Sequence, residues 1–273
     1  MPIIRIDTLD DPRLAPYRQL KATNATRGRN EFVVEGAKLV DRLIESRYPT
    51  LSVVATGRKL ATIAPRVPEA VPLYVIPNDL ADVLVGFNFH QGVLGCGQRL
   101  DPPALGPILH EAGERLTLVV CPRLDNPENL GAILRLADVF GVAAVVAGPG
   151  CPDPLSRRVL RVSMGMALRV PVVQPNDLRA TLEGLRDEHG FELVAAVAEG
   201  RATPFDRYER PGRVGLLLGR ESSGLDPSWM DLCARKLVIP MRAGAESLNV
   251  AVAAGILLYG LTRGELHDSA SAG

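Results

Sequence analysis

Residues 116–147 read LTLVVCPRLDNPENLGAILRLADVFGVAAVVA, and the hydropathy of this stretch changes period twice. Leu116–Cys121 is a short apolar run of strand length, Leu130–Phe140 carries its apolar residues at helical spacing, and Val142–Ala147 is apolar again. Strand, helix and strand in one short stretch is the crossover that joins parallel strands. The alternation continues with a helix at Leu155–Leu168, a strand at Val170–Val173 and a helix at Asp177–Glu188. Strands at Glu192–Val197, Val214–Gly219 and Lys236–Ile239 follow, then a closing helix at Ser247–Tyr259. This pattern predicts a doubly wound α/β domain over residues 111–273.

Upstream, the same reading gives a smaller α/β domain over residues 1–110. It has an early helix at Leu14–Ala22, a strand at Phe32–Val34, and an amphipathic helix at Lys38–Ser46 with Leu39, Leu43 and Ile44 on one face. Strands follow at Leu51–Ala55, Leu73–Ile76 and Gly92–Cys96. The segment LDPPALGP, residues 100–107, is rich in proline and glycine and reads as a linker. At 273 residues, two domains is the ordinary expectation. Hydrophobic residues at 47% and charged residues at 23% exclude disordered and fibrous classes.

No apolar run reaches the ~20 residues of a membrane span, and the start, MPIIRIDTLDD, lacks the basic and apolar regions of a secretory signal. A cytoplasmic protein without membrane contact is expected. Cys96, Cys121, Cys151 and Cys233 show no C-x-x-C spacing and lie far from the histidines in sequence, so buried thiols are expected rather than disulfides or a metal site. Formal net charge is zero, with 31 basic and 31 acidic residues, which argues against nonspecific coating of nucleic acid. The distribution is uneven. Arg13, Arg18, Lys21, Arg27 and Arg29 occur between Asp11 and Glu31 with no acid among them, and Arg157, Arg158, Arg161 and Arg169 form a second cluster. Arginine's planar fork suits phosphate, which makes both clusters candidate nucleic-acid contacts; a solvated arm is the alternative for the first.

Parallel sheets bind ligands at the carboxyl ends of their strands, so the loops after Cys121, Gly219 and Ile239 are the candidate sites. After the first, Asn129 and Gly131 open a helix that carries Arg135. After the second, Gly219 and Gly224 let the backbone approach a ligand beside Glu221. After the third, Ser247 and Asn249 begin a helix whose residues Ala251, Ala254, Gly255 and Leu258 would admit close packing against another element or subunit, or serve equally in the core. Asn129 and Ser247 are equally suited to capping their helices. No G-x-G-x-x-G after a strand, phosphate-binding P-loop or H-E-x-x-H is present, so ordinary dinucleotide, NTP and zinc-protease chemistry is not expected.

Taken in order, NPENLGAILRLA (126–137), LGRESSGL (218–225) and IPMRAGAESLNVAVA (239–253) resemble the three signature motifs of the SpoU (TrmH-like) RNA ribose 2′-O-methyltransferases of the SPOUT superfamily. DPLSRRVLRVSMGMALRVPVV (153–173) extends the resemblance, and RNEFVVEGAKLVDRLIES (29–46) with HQGVLGCGQR (90–99) resembles that family's ribosomal-protein-like substrate-binding domain. The resemblance implies a C-terminal parallel-sheet domain tied in a trefoil knot, a departure from the usual unknotted topology. It further implies a homodimer, an rRNA or tRNA substrate, and S-adenosylmethionine as cofactor. The family's cofactor positions fall on Gly219, Ile239 and Leu248, with Leu218, Met241 and Asn249 close by; its motif arginine, asparagine, glutamate and serine fall on Arg135, Asn129, Glu221 and Ser247.

The implied reaction is attack of a ribose 2′-hydroxyl on a sulfonium methyl, which needs alignment but no metal. Arginine ordinarily holds its proton up to a pKa above ~12, so two roles remain for Arg135: a base deprotonated in its site, or a cation that binds the adjacent phosphate and stabilises developing alkoxide charge. The second is favoured. In this reading Asn129 braces the Arg135 loop, Glu221 orients an arginine or contacts substrate, and Ser247 with Asn249 shapes the knot loop. A noncatalytic RNA-binding or ribosome-assembly factor, and a base methyltransferase with the same knot, are the alternatives.

Overall fold

A computed structural model of the chain describes residues 2–18, 20, 28, 30–111, 113–198, 201–242 and 244–270, with backbone alone for 264–270. It divides into two compact units, residues 1–101 with 155–169, and 102–154 with 170–273. The division falls at Asp101/Pro102 rather than near residue 110, because a helix beginning at Leu105 places Leu105, Ile108 and Leu109 on the second unit's core.

The first unit is a five-stranded mixed sheet. Its elements are β1 (Ile3–Arg5), β2 (Glu31–Glu35), α1 (Ala37–Ile44), β3 (Thr50–Thr56), α2 (Leu60–Ile63), β4 (Leu73–Ile76), α3 (Asn78–Val85) and β5 (Val93–Gln98), in sheet order β1-β4-β3-β5-β2. β1, β3 and β4 run parallel, and β5 pairs antiparallel with β2 and β3. Where the described residues cover the expected helix at Leu14–Ala22, they form a 3-10 turn at Pro12–Tyr17, capped by the Asp11 side chain and carrying Pro16 internally; residues 19, 21 and 22 lie outside the described residues. A proline there removes the N–H that a regular helix would need.

The second unit is a seven-stranded, wholly parallel sheet in the order β10-β12-β9-β11-β6-β7-β8. Along the chain run α4 (Leu105–Glu111), β6 (Leu116–Cys121), α5 (Pro127–Val139), β7 (Ala144–Ala147), α6 (Arg157–Val162), β8 (Val172–Val173), α7 (Leu178–Asp187), β9 (Glu192–Val197), β10 (Thr203–Pro204), β11 (Arg213–Leu217), α8 (Pro227–Met230), β12 (Arg235–Val238) and α9 (Val250–Ala270). All residues of β6 and β7 are buried, as expected for central parallel strands covered on both faces. Leu118, Val120, Val146, Leu182, Leu193 and Leu217 lie together in one core cluster. Full burial of each such side chain is worth ~1.5–3 kcal/mol.

α6 lies between β7 and β8 in the chain but belongs to the first unit. The helix expected over Leu155–Leu168 stops at Val162. Met164 (φ 55°) and Gly165 (φ 84°) adopt left-handed backbone, Gly165 N–H donates to Leu160 C=O at 2.7 Å, and a 3-10 turn follows at Met166–Leu168. A left-handed glycine that returns its N–H to the last turn is a standard helix stop. Among the described residues no helix is long and apolar enough to cross a membrane, and no group of three or more metal-ligating side chains occurs.

Candidate active site

β11 delivers the chain to Leu218 and Gly219, where the backbone turns back on itself. A Cβ on Gly219 would overlap both the Gly224 carbonyl carbon and the Leu225 nitrogen, so no other residue fits. Arg220 and Gly224 exchange backbone hydrogen bonds of 2.9 Å in both directions, with Gly224 at φ +69°. The short loop they close projects Glu221.

α5 begins one loop away. Asn126 caps it, accepting from Glu128 N–H at 2.8 Å, and Pro127 occupies the first helical position where a missing N–H costs nothing. Asn129 is therefore inside the first turn, buried, and its side chain is free to act elsewhere. Its Nδ2 donates to Glu221 Oε1 at 2.5 Å, and its Oδ1 accepts from Asn249 Nδ2 at 3.0 Å. Asn249 Oδ1 in turn accepts from Ala251 N–H at 2.9 Å and Val252 N–H at 3.4 Å, so Asn249 is the cap of α9. Three segments far apart in the chain thus meet in one run of hydrogen bonds.

The network continues on the other carboxylate oxygen. Glu221 Oε2 accepts from Asp125 N–H at 3.2 Å, while the Asp125 side chain receives Arg220 Nε at 3.0 Å and Nη2 at 2.9 Å and Arg123 Nε at 3.4 Å. The hydrogen bond from Arg220 holds the Asp125 carboxyl below its ordinary pKa. Asp125 therefore grips the 220–224 loop twice, by backbone and by side chain. Two thiols lie nearby: Cys151 Sγ donates to Cys121 C=O at 3.1 Å. Burial raises the Cys121 thiol pKa and pushes that of Cys151 up to about 11, so both stay protonated at neutral pH.

Beside this network, at the carboxyl ends of β9, β11 and β12, opens a pocket of about 250 Å³. Leu218, Ile239, Met241, Leu248 and Val197 supply apolar wall, Gly219 supplies bare backbone, and Ala253 and Leu257 of α9 close one side. Such a pocket suits a flat, largely apolar ring held by backbone groups, with a polar rim formed by Glu221, Ser247 and Asn249.

All six residues expected to hold a cofactor, Leu218, Gly219, Ile239, Met241, Leu248 and Asn249, line this pocket. Of the five expected to carry chemistry, Glu221, Ser247 and Asn249 line it and Asn129 is bonded to two of these three. Arg135 does not line it. It is exposed on α5 and makes no hydrogen bond or ion pair among the described residues. Two capping expectations change: Asn126 rather than Asn129 caps α5, and Asn249 rather than Ser247 caps α9. Sequence reasoning missed Asp125, the Arg220 bond, and Ala196, Val197 and Ala198 as pocket wall. The last three end or follow the predicted strand Glu192–Val197, and applying the strand-end rule to that strand would have found them.

The small-residue face of α9 packs within the chain, against the core and another element. Ala251, Ala254 and Leu258 face inward, and Gly255 packs on α5, where its added Cβ would be 3.5 Å from Leu136. The outward face is Val252, Ile256 and Tyr259, at the i, i+4 and i+7 spacing of one helical stripe. Val139 on α5 is likewise exposed and shares its helix face with Arg135, four residues earlier.

In the first unit, the candidate RNA contacts separate. Arg27 and Arg29, with Lys21, lie outside the described residues. Arg13 forms a bidentate pair with Asp11 (2.9 and 2.5 Å), and Arg18 donates to the Asp11 carbonyl at 2.8 Å, so the acid bounding this segment occupies both. Arg157 is half-buried, stacked on Phe87 with its guanidinium 4.3 Å from the ring centroid and 3.7 Å from Glu35 Oε2, and burial lowers its pKa. It ties α6 to the first unit's sheet instead of presenting charge to solvent. Arg158 and Arg161 are both exposed on α6.

The SpoU rRNA methylase family model matches residues 116–259, which span all three segments of the network. An uncharacterized tRNA/rRNA methyltransferase of Mycobacterium tuberculosis is 35% identical, over 94% of this chain and 91% of its own. A 23S rRNA (guanosine-2′-O-)-methyltransferase of Acinetobacter baylyi is 30% identical, over 73% of this chain and 81% of its own. The crystal structure of an AdoMet-bound rRNA methyltransferase from Sinorhizobium meliloti superposes with a TM-score of 0.79 at 23% identity, covering 96% of this chain and 98% of that one.

Proposed function

The chain belongs to the SpoU rRNA methylase family, and from that premise we propose that it transfers a methyl group from S-adenosylmethionine to a ribose 2′-hydroxyl of rRNA or tRNA. The observation that carries the proposal is the hydrogen-bonded chain Glu221–Asn129–Asn249 beside the pocket. It supports a catalytic reading over a noncatalytic one, because a binding factor would have no need to keep all three segments in register.

The residues present suit the cofactor. Gly219 is bare backbone that no Cβ can replace, and the apolar walls Leu218, Ile239 and Leu248 offer a slot for an adenine ring. When bound, S-adenosylmethionine supplies an electrophilic methyl group. The protein's task is alignment, since displacement requires the attacking oxygen in line with the carbon–sulfur bond. Glu221 and Asn249, clamped by Asn129, fix the rim across which the ribose approaches. Ser247 stands exposed at that rim.

Arg135 acts as the electrostatic group, binding the phosphate next to the target ribose and stabilising negative charge developing on the 2′-oxygen. Its absence from the pocket of its own protomer, together with the exposed stripe Val252, Ile256 and Tyr259 and the adjoining Val139, supports a homodimer in which this face is covered and Arg135 is brought to the site. The same reading includes a knotted chain in the second unit, an RNA-selecting role for the first, and a cytoplasmic location.

The test is methyl incorporation from labelled S-adenosylmethionine into rRNA and tRNA taken from a strain lacking the protein. Label in one RNA class, incorporated far more slowly with Arg135→Ala, is expected. Cofactor binding without transfer to any RNA would return the noncatalytic alternative.

A further inference from the structure

A second charged feature lies away from the pocket, at the opposite end of β12. Arg235 and Lys236 open that strand, and Arg201 precedes β10, the edge strand beside it. The parallel register pairs Thr203 with Leu237, which carries Arg201 alongside Arg235 when continued two residues back. Arg201, Thr203, Arg235 and Lys236 line one shallow surface depression. Like charges side by side on neighbouring strands are unfavourable, by amounts comparable to the favourable opposite-charge pairs.

Among the described residues, neutralisation of these cations is incomplete. Glu192 Oε1 accepts from Tyr208 Oη at 2.8 Å and lies 3.6 Å from Arg235 Nε, so one shared carboxylate answers one of the three cations. Arg201 and Lys236 are exposed and make no side-chain hydrogen bond or ion pair among the described residues. A shallow depression lined by three cations, two of them without an ion pair among the described residues, suits an anion whose charge is spread over several oxygens.

We infer that this depression binds the phosphodiester backbone of the RNA substrate, as a contact separate from the methyl-transfer site. The inference rests on the RNA-methyltransferase reading above. Its geometry follows from β12 itself: the strand runs from Arg235 to Val238 and leads into Ile239 of the pocket. At ~3.3 Å per residue, ~13 Å of extended chain separates the two ends. An RNA strand that places one ribose at the pocket therefore reaches the depression with phosphates a few nucleotides away. A contact at that remove supplies affinity and register without touching the reacting atoms, so its loss raises KM and leaves kcat in place.

The experiment compares the full-length parent with Arg201→Ala/Lys236→Ala and with the charge-preserving Arg201→Lys/Lys236→Arg. RNA affinity is measured over a range of salt concentrations, alongside methyl transfer and S-adenosylmethionine affinity. Loss of two phosphate contacts is expected to lower the slope of log affinity against log salt by ~1.4–1.8, at ~0.7–0.9 for each. The charge-preserving variant keeps the parent slope, and cofactor affinity and kcat stay at parent values in both. Inorganic phosphate alone, titrated against the parent, is expected to bind far more weakly than RNA; saturation at micromolar phosphate would make this a free-phosphate site and overturn the assignment. A parent that methylates RNA while the alanine variant matches it in affinity and slope overturns this inference and leaves the proposed function standing. A parent that neither binds nor methylates RNA overturns both.

Discussion

Glu221→Gln tests whether the hydrogen-bond network organises the cofactor pocket. Glu221 now accepts twice, from Asn129 Nδ2 at 2.5 Å and Asp125 N–H at 3.2 Å. Glutamine offers one carbonyl oxygen and one NH2 group, so one of the two donors must face a donor. Asn129 cannot turn its amide to relieve the clash, because its oxygen already accepts from Asn249 and the residue is only 6% exposed. Losing a hydrogen bond to a charged group costs ~1.5–3 kcal/mol, equivalent to about 10- to 150-fold in an equilibrium constant. Glu221 itself is exposed, and water can replace part of what is lost. The expected result is about tenfold weaker S-adenosylmethionine binding by calorimetry, the low end of that range.

The double variant Asn129→Asp/Glu221→Gln reverses the polarity of the bond. The introduced glutamine amide then donates to the introduced carboxylate, the Asn249 amide still donates to that carboxylate, and Asp125 N–H still finds a carbonyl. Cofactor affinity should return to within a few fold of the parent, giving a coupling of opposite sign to the two single effects. Parent-like binding by Glu221→Gln, or a double variant as weak as the sum of its parts, would refute the view that these side chains act as one unit.

Three further outcomes are expected. Arg135→Ala should reduce kcat by about 100- to 1,000-fold, the ~2.7–4 kcal/mol typical of one lost electrostatic contact, while cofactor affinity changes little because Arg135 is not a wall of the pocket; near-normal turnover would remove it from the mechanism. Ile256→Lys, which charges the exposed stripe without touching the core face, should give a monomer by analytical ultracentrifugation and an inactive enzyme, whereas a fully active monomer would contradict the dimer. Asp125 has its carboxyl pKa lowered by Arg220, so its stabilising contribution is present above the ordinary value of 3.8 and is lost as pH falls through the lowered one. Thermal melts from about pH 5 to about pH 3 should therefore show a shallower acid decline for Asp125→Asn than for the parent, and identical slopes would argue that the Asp125–Arg220 pair contributes nothing.

The second unit was legible because each of its long strands is a buried apolar run, and periodicity reads burial. Leu116–Cys121 and Glu192–Val197 appear with the expected limits. β10 was not legible: Thr203–Pro204 is a two-residue edge strand with no apolar signal, although it positions Arg201. The break at Met164 and Gly165 was hidden because Leu160, Ala167 and Leu168 keep an apolar pattern across it, and backbone handedness leaves no mark in hydropathy. At the site, residue identity could be read from the motifs but partnership could not. Asn129 and Ser247 both satisfy the rules for a helix cap, and only the fold shows that Asn126 and Asn249 do that work, freeing Asn129 for Glu221. Arg157 illustrates the converse. Its place in a cation cluster suggested an RNA contact, and what decided its surroundings was Phe87 and Glu35, both far away in the chain.

Methyl transfer to ribose is tested most directly by the chemical position of the methyl group. RNA from a strain lacking the protein, incubated with the purified protein and S-adenosylmethionine, is digested with nuclease P1 and phosphatase and its nucleosides are resolved by mass spectrometry. The expected product is one new methylated nucleoside whose fragmentation leaves the added mass on the ribose and releases an unmodified base, and which forms about 100- to 1,000-fold more slowly with Arg135→Ala. A methyl group that leaves with the base would contradict transfer to the 2′-hydroxyl.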